Sequence, residues 1–376
     1  MEYTWSSFID EINVNEAYIG LERQKIRKAF EILQKYLGDD FLTEKYMKGH
    51  CLSLKLVNFA PWTRQWLIWF SDCLEAVSRF GNFDAIINDF KKPELSRERF
   101  LIMRNAYRFE MSGFNVIFEP IIDVNGSRKK PDLLIENSKT QEQIFVEISE
   151  LNDSDQTREI NAMMMNVFMR LIQIRDIVFA GTVHVLLSEE SIDELFIRLN
   201  VLAEKAKANK IMQELCNDKI HVVLADKDNY DFKEWCGRNG FASDGKSGGL
   251  NGPSFNVDEV QRTKHKITQK MKQLSSNNLN MIIVYNNNLF NRGICNQVEL
   301  NNIEECVYKH DSLLFCSVLS QCIKFGSTTK EINPFKGNRF VSKIADYDFE
   351  EGFLAFNRYN NNKVSPNTIA RVMDCF

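Results

Sequence analysis

The sequence lacks several features that would settle its class at once. It has no Cys-x-x-Cys pair among its 9 cysteines, no marked surplus of either charge, no internal repeat, and no apolar stretch near the roughly 20 residues that span a membrane. An odd cysteine count without paired spacing, with several cysteines set in apolar runs (Cys316 in LLFCSVL), excludes a disulfide framework and a structural zinc site. It points to reduced thiols in the cytosol. With 47 Lys+Arg against 51 Asp+Glu the net charge is −4. No global basic field advertises nucleic acid, and no membrane partner is expected, although a local basic groove is compatible with that average. The first 16 residues lack the basic-then-apolar order of a signal peptide, so a cytoplasmic location is expected. The 5 histidines, His50, His184, His221, His265 and His310, show no paired ligand spacing. His184 and His221 fall in expected strands and read as core or edge residues rather than general bases.

The 376 residues, 44% of them hydrophobic, are enough for a sizeable core in two domains, or in one large domain with insertions. Residues 1–93 read as helical. Leu21, Ile26, Phe30, Leu33 and Leu37 recur at amphipathic spacing, and WTRQWLIWFSDCLEAVSRF (62–80) reads as a core helix. Its Trp62, Trp66 and Trp69 suit helix packing better than base stacking. A helix over 94–114 follows Pro93, with Ser96 as N-cap and Gly113 as its stop. Strands are expected at 115–120, 182–188, 219–226 and 280–287, and helices at 158–177, 191–209 and 261–274. The second of these helices is open to extension through Cys216. Methionines 163, 164, 165 and 169 in the first read as packing. Alternation of helix and strand gives an α/β domain with a mixed or parallel sheet.

The stretch KKPDLLIENSKTQEQIFVEISE (129–150) reads as two short strands joined by a polar turn. Asp132 opens the first and shares a face with Leu134. Glu147 lies in the second, on one face with Phe145 and Ser149. Two carboxylates on neighbouring strands can converge on one Mg²⁺, which proteins hold by one or two carboxylates plus substrate phosphates. The alternative is a surface hairpin with an acid at its rim.

In context, the order helix, strand, Pro131-Asp132, then Glu147-Ile148-Ser149, then helix resembles the PD-(D/E)XK nuclease superfamily. That resemblance implies a restriction-endonuclease-like fold, a mixed central sheet flanked by helices. It implies metal ligation of Mg²⁺ or Mn²⁺ by Asp132 and Glu147, with a helix carboxylate assisting, Glu110 ahead of Glu98. The family's lysine position holds Ser149, which carries no charge. The lysine then comes from another element (Lys270 or Lys266 on the late helix, or Lys129 or Lys130), or the metal alone activates water, or the fold only binds. The segment 262–288, and 316–335 ending in Asn333-Pro334, resemble the late elements of bacterial members, so the resemblance covers about 94–336. This divides the chain into a helical region 1–93, a nuclease-like domain 94–336 and an extension 337–376. The function implied is hydrolysis of nucleic acid, DNA before RNA, in a restriction, repair or phage-defence setting. A homo-oligomer or protein partner could use the N-terminal helices. The competing reading is a nuclease-fold scaffold without catalysis.

Two further stretches bear on ligands. Arg262, Lys264, Lys266, Lys270 and Lys272 make the late helix basic, which suits either phosphate contact or a solvated face. Residues 240–247, GFASDGKS, fit the phosphate-loop pattern but lack a strand directly before and a helix directly after. A flexible Gly/Ser loop is expected there.

Overall fold

The structure is a computed structural model that describes residues 4–14, 21–124, 126–241, 249–253, 257–291, 297–323, 339–345 and 348–376. The chain forms two compact units, 1–151 with 258–376, and 152–257. The boundaries are therefore not at 93 and 336. Hydrophobic burial explains the difference. Phe8, Phe30 and Trp66 from the helical start, and Leu354 and Val372 from the C-terminal stretch, all pack into one core with Ile102, Val146 and Ile283. The insert closes cores of its own, around Val167, Phe196 and Leu224 on one side and Phe232 and Cys236 on the other.

The first unit opens with helices α1 (Trp5–Val14), α2 (Leu21–Leu37), α3 (Glu44–Met47), α4 (Ser53–Val57), α5 (Pro61–Val77), α6 (Phe83–Phe90) and α7 (Pro93–Met111). Trp66 is fully buried against Phe70 and Phe100, and Trp69 touches the same cluster, as helix packing requires, whereas Trp62 is exposed and does not fit that expectation. Pro93, not Ser96, opens α7. Its fixed φ and missing N–H suit the first helical position. Ser96 lies inside the first turn and accepts from the Cys51 amide. Gly113, at φ +84°, ends the helix in a left-handed conformation.

Strands β1 (Phe114–Phe118), β2 (Ile122–Val124), β3 (Ser127–Lys129), β4 (Leu133–Asn137) and β5 (Gln143–Glu150) follow. The insert contributes α8 (Asp155–Ile172), β6 (Ile177–Val183), α9 (Glu189–Asn209), β7 (Gln213–Cys216), β8 (Ile220–Asp226), α10 (Tyr230–Arg238) and β9 (Leu250–Asn251). Its sheet has the order β7-β8-β6-β9. Residues 213–216 are thus a strand rather than an extension of α9. The strand expected at 182–188 lies earlier, at 177–183, because Ser188 caps α9 and ends the extended run. Within β6, a Cβ on Gly181 would stand 2.2 Å from the His221 carbonyl oxygen, so only glycine fits. In α8, Met163 is buried while Met165 and Met169 are exposed, so packing accounts for only part of that methionine run. Most of the phosphate-loop-like stretch, from residue 242, lies outside the described residues, as do Asn333 and Pro334.

The chain returns to the first unit with α11 (Glu259–Met271), β10 (Asn280–Tyr285), α12 (Asn287–Asn291), α13 (Gln297–Tyr308), β11 (Leu313–Ile323), β12 (Arg339–Ala345), β13 (Asp348–Phe356) and α14 (Pro366–Asp374). One mixed sheet runs β1-β4-β5-β10-β11-β13-β12. The pairs β5/β10 and β10/β11 are parallel, and the others are antiparallel. The α/β class expected from alternation holds, with helices on both faces. In β10, Met281, Ile283 and Tyr285 face the core that contains α7, while Ile282 and Val284 face the core under α11 and α13. That two-sided burial is why the strand is apolar throughout. Among the described residues there is no disulfide, and no helix is long and apolar enough to cross a membrane.

A buried ionic cluster fixes α7 to the sheet. The carboxylate of Glu350 on β13, fully inaccessible, pairs with Arg104 at 3.1 Å and with Arg108 one turn on. Beside them the Tyr285 hydroxyl accepts from Asn105 at 3.0 Å. Burial pushes the Glu350 carboxyl up, but the two guanidinium groups outweigh it and hold it below the ordinary range. Glu350→Ala strands both cations in the core and is expected to cost about 3–5 kcal/mol, read from the urea midpoint at unchanged slope. A loss below about 1 kcal/mol, the size of an exposed pair, would contradict this role.

Candidate metal and phosphodiester site

The hairpin β4/β5 brings the two acids together through its register. Leu133 pairs with Val146, so the next position places Asp132 opposite Glu147 on the same face. Like charges directly opposed across strands repel, and here burial adds to the repulsion. Glu147 is 1% exposed and Asp132 is half-buried. Asp132 is held by its own backbone neighbours: Oδ2 accepts from the Ile148 amide at 2.6 Å, and its carbonyl accepts from the Glu119 amide at 3.0 Å. Glu119 adopts φ +46°, a left-handed conformation that costs a non-glycine residue about 1–3 kcal/mol. The chain is thus strained where β1 hands over toward Asp132.

The positive partner is Lys270. Its Nζ lies 2.7 Å from Glu147 Oε2 and 3.2 Å from Gln273 Oε1. The last turn of α11 delivers it. Asp258 caps the helix by accepting from the Gln261 amide. Thr263, Ile267 and Leu274 are buried, and Lys270 falls in line with them at helical spacing. The helix is pinned to the end of β10, since Asn286 donates to Glu259 at 3.1 Å and to Thr263 at 3.0 Å. Lys270 therefore reaches Glu147 from the sheet-facing side of its helix.

Ser149 follows Glu147 on the same face, opposite Val284 of β10, and is half-buried. Lys129 and Lys130 are exposed, and neither is among the charges acting on Asp132 or Glu147. Glu110 is not brought to the pair. It is engaged by Arg79, and it sits 12 residues, roughly 18 Å of helix rise, beyond Glu98. Glu98, at the start of α7, is the helix acid whose charge acts on both Asp132 and Glu147. The placement of α7 decides between the two. The start of α7, not its end, lies at the site, and Arg97 and Arg99, flanking Glu98, bind Glu150 and Glu119 there.

Electrostatically the site holds more acid than it can neutralise. Burial pushes Asp132 up to about 6, against the pull of Lys270. Burial and then the Asp132 charge push Glu147 up to about 8. The two titrate as a pair. Lys270 is held above its ordinary value, because the two carboxylates outweigh its own burial. Arg99 is already shared between Asp89 and Glu119.

A divalent cation fits this arrangement. Glu147 Oε1 is buried and has no hydrogen-bond partner among the described residues, an arrangement that costs about 1–3 kcal/mol unless something else meets it. The donors are all oxygen, which suits Mg²⁺ or Mn²⁺ rather than zinc. One three-residue cluster with metal-ligand atoms, Glu214, Cys216 and His221, occurs among the described residues, on the β7/β8 hairpin. There His221 Nε2 is already hydrogen-bonded to Glu214 at 2.6 Å. His184 is exposed beyond the end of β6, and His50 is a core residue whose Nδ1 accepts from the Leu52 amide.

Comparison of the chain with protein-family models, curated proteins and solved structures returned no match.

The pKa directions have a testable sign. Both carboxyls are raised in the folded state, so their protonation favours the fold. That contribution is complete below about pH 4 and is lost as the pH rises through about 6 and about 8. In EDTA, the thermal midpoint of the wild type should fall more between about pH 5 and pH 8.5 than that of Glu147→Gln. Added Mn²⁺ should raise the wild-type midpoint at the upper pH and leave that of the variant nearly unmoved. Parallel profiles with no metal response would remove the repelling pair.

Proposed function

We propose that the chain is a metal-dependent nuclease of PD-(D/E)XK type with a restriction-endonuclease-like core, hydrolysing phosphodiesters of DNA in a restriction, repair or phage-defence setting. The observation that carries this reading is the opposition of Asp132 and Glu147 with Lys270 Nζ 2.7 Å from Glu147. Asp132 and Glu147 would hold Mg²⁺ or Mn²⁺, with Glu98 adding negative charge nearby. The cation, when bound, lowers the pKa of water and neutralises charge on a phosphoryl group.

The chain's own groups have distinct tasks. Lys270 supplies the ammonium that Ser149 cannot. Its position on α11, hydrogen-bonded to Glu147, would let it hold the attacking water or a phosphate oxygen as well. Glu147 fixes that ammonium through one oxygen and leaves the other for the cation. The Ile148 amide fixes Asp132. The scaffold alternative drew its force from a missing lysine, and Lys270 weakens it.

Cleavage of a mixed DNA and RNA pool by the full chain should require Mg²⁺ or Mn²⁺. It should disappear in Asp132→Ala and Glu147→Ala and fall about 10²–10³-fold in Lys270→Met. Glu110→Gln should cleave like the wild type, whereas Glu98→Gln should need more metal for half-maximal rate. Cleavage that survives loss of both Asp132 and Glu147 would exclude the mechanism.

A further inference from the structure

Lys270 is one member of a row. Arg262, Lys266 and Lys270 recur every four residues on α11, so they stack one above the other at about 5.4 Å per turn. Arg262 is leashed to Glu259 at 2.8 Å, and Lys270 to Glu147 at 2.7 Å. Lys266 stands between them, half-buried, and among the described residues no carboxylate pairs with it. It is held below its ordinary pKa by burial first, then by the charges of Lys270 and Arg262. Beside it lies a surface depression lined by Leu151, Gln261, Arg262, His265, Lys266 and Gln269. The lining has hydrogen-bond donors and two cations and no acid. A half-buried cation kept between two others without an acid is stable only at a cost, which an anion in the depression would remove.

We propose that this face of α11 is a phosphate track, in which Lys266, with the lining of the depression, binds the backbone phosphate of duplex DNA next to the one engaged at Asp132, Glu147 and Lys270. The ligand class rests on the nuclease reading. The track itself rests on the row of cations and the acid-free depression. It gives the site a direction, because the strand would run from Lys270 back toward the start of α11. The track would not read sequence, since phosphate contacts position a duplex without discriminating bases.

The test is binding without catalysis. A fluorescein-labelled DNA duplex of mixed sequence is titrated with the full-length protein in EDTA by fluorescence anisotropy, over a range of salt concentrations. Lys266→Ala should weaken binding several-fold and reduce the slope of log K against log salt by about 1, and Lys266→Glu should weaken it further. Lys272→Ala, on an exposed part of the same chain segment and off the row, should bind like the wild type, and thermal midpoints should show that all three variants are folded. An unchanged affinity and salt slope in folded Lys266→Ala would overturn the track, as would equal losses in Lys272→Ala. The two readings separate cleanly. Lys266-dependent binding by a protein that cleaves nothing keeps the track and removes the nuclease. Metal-dependent cleavage with Lys266-independent binding does the reverse. Tighter, Lys266-dependent binding of an RNA duplex of the same sequence would replace DNA as the ligand.

Discussion

Two carboxylates set opposite each other on adjoining strands, with one of them buried, dominate the physics of this protein. Within the hairpin, the Ile148 amide meets Asp132, but no group there offsets the charge of Glu147 opposite it. The fold answers with one cation from α11, one backbone amide from Ile148, and an orphaned oxygen left on Glu147. Each part of the surrounding structure can be related to that local excess of negative charge. The cap of α11, the Asn286 contacts with Glu259 and Thr263, and the buried Ile267 and Leu274 all serve to hold one lysine at one place. A site that keeps unresolved charge in a low-dielectric setting is disposed to bind an ion, and an unperturbed surface hairpin would not be.

The scaffold beneath the site is also held by polar and ionic contacts. Beneath α7 a polar band crosses four neighbouring strands: Glu150 on β5, Tyr285 on β10, Gln321 on β11 and Glu350 on β13. These meet Arg97, Asn105, Arg104 and Arg108 of the helix. Buried pairs of this kind add little net stability over apolar packing, but removing one partner leaves an uncompensated charge in the core. The same helix presents Glu98 and Arg99 toward Asp132, so the band fixes where those charges fall. The insert 152–257 enters between β5 and α11 and closes its own cores, so it does not interrupt the register of β5 with β10.

Much of the fold was legible from hydrophobic period. The strands at 115–120, 219–226 and 280–287, the hairpin and the long helices follow from residues whose side chains must be buried on one face or on both. The misplaced strand at 182–188 shows the limit. His184, Val185 and Leu186 look like strand residues, but they are exposed, and the true strand uses Ile177 to Val183. Residues 339–345 and 348–356 read as an extension because only 348–356 meets β11, a pairing set by more distant sequence, and 339–345 joins the sheet through 348–356. The candidate site was legible in part. Asp132 and Glu147 stood out as acids in strands, and Lys270 falls three residues after the buried Ile267. The choice of Glu98 over Glu110 was not legible, because helical period places both on α7 without saying which end meets the Asp132–Glu147 corner of the sheet.

By itself, then, the sequence determined which residues had to be buried, and therefore the α/β class, the hairpin and the pair of acids within it. Those follow from local spacing, which the chain carries at every point. Only the tertiary structure decided that residues 1–93 and 337–376 share a core with the sheet, that 152–257 folds apart, and that Lys270 supplies a charge 123 residues from Glu147. Contacts at such separation depend on the register of parallel β5 and β10 and on how α11 packs across them. No local pattern encodes that, because the energy of each contact exists only once both partners are in place.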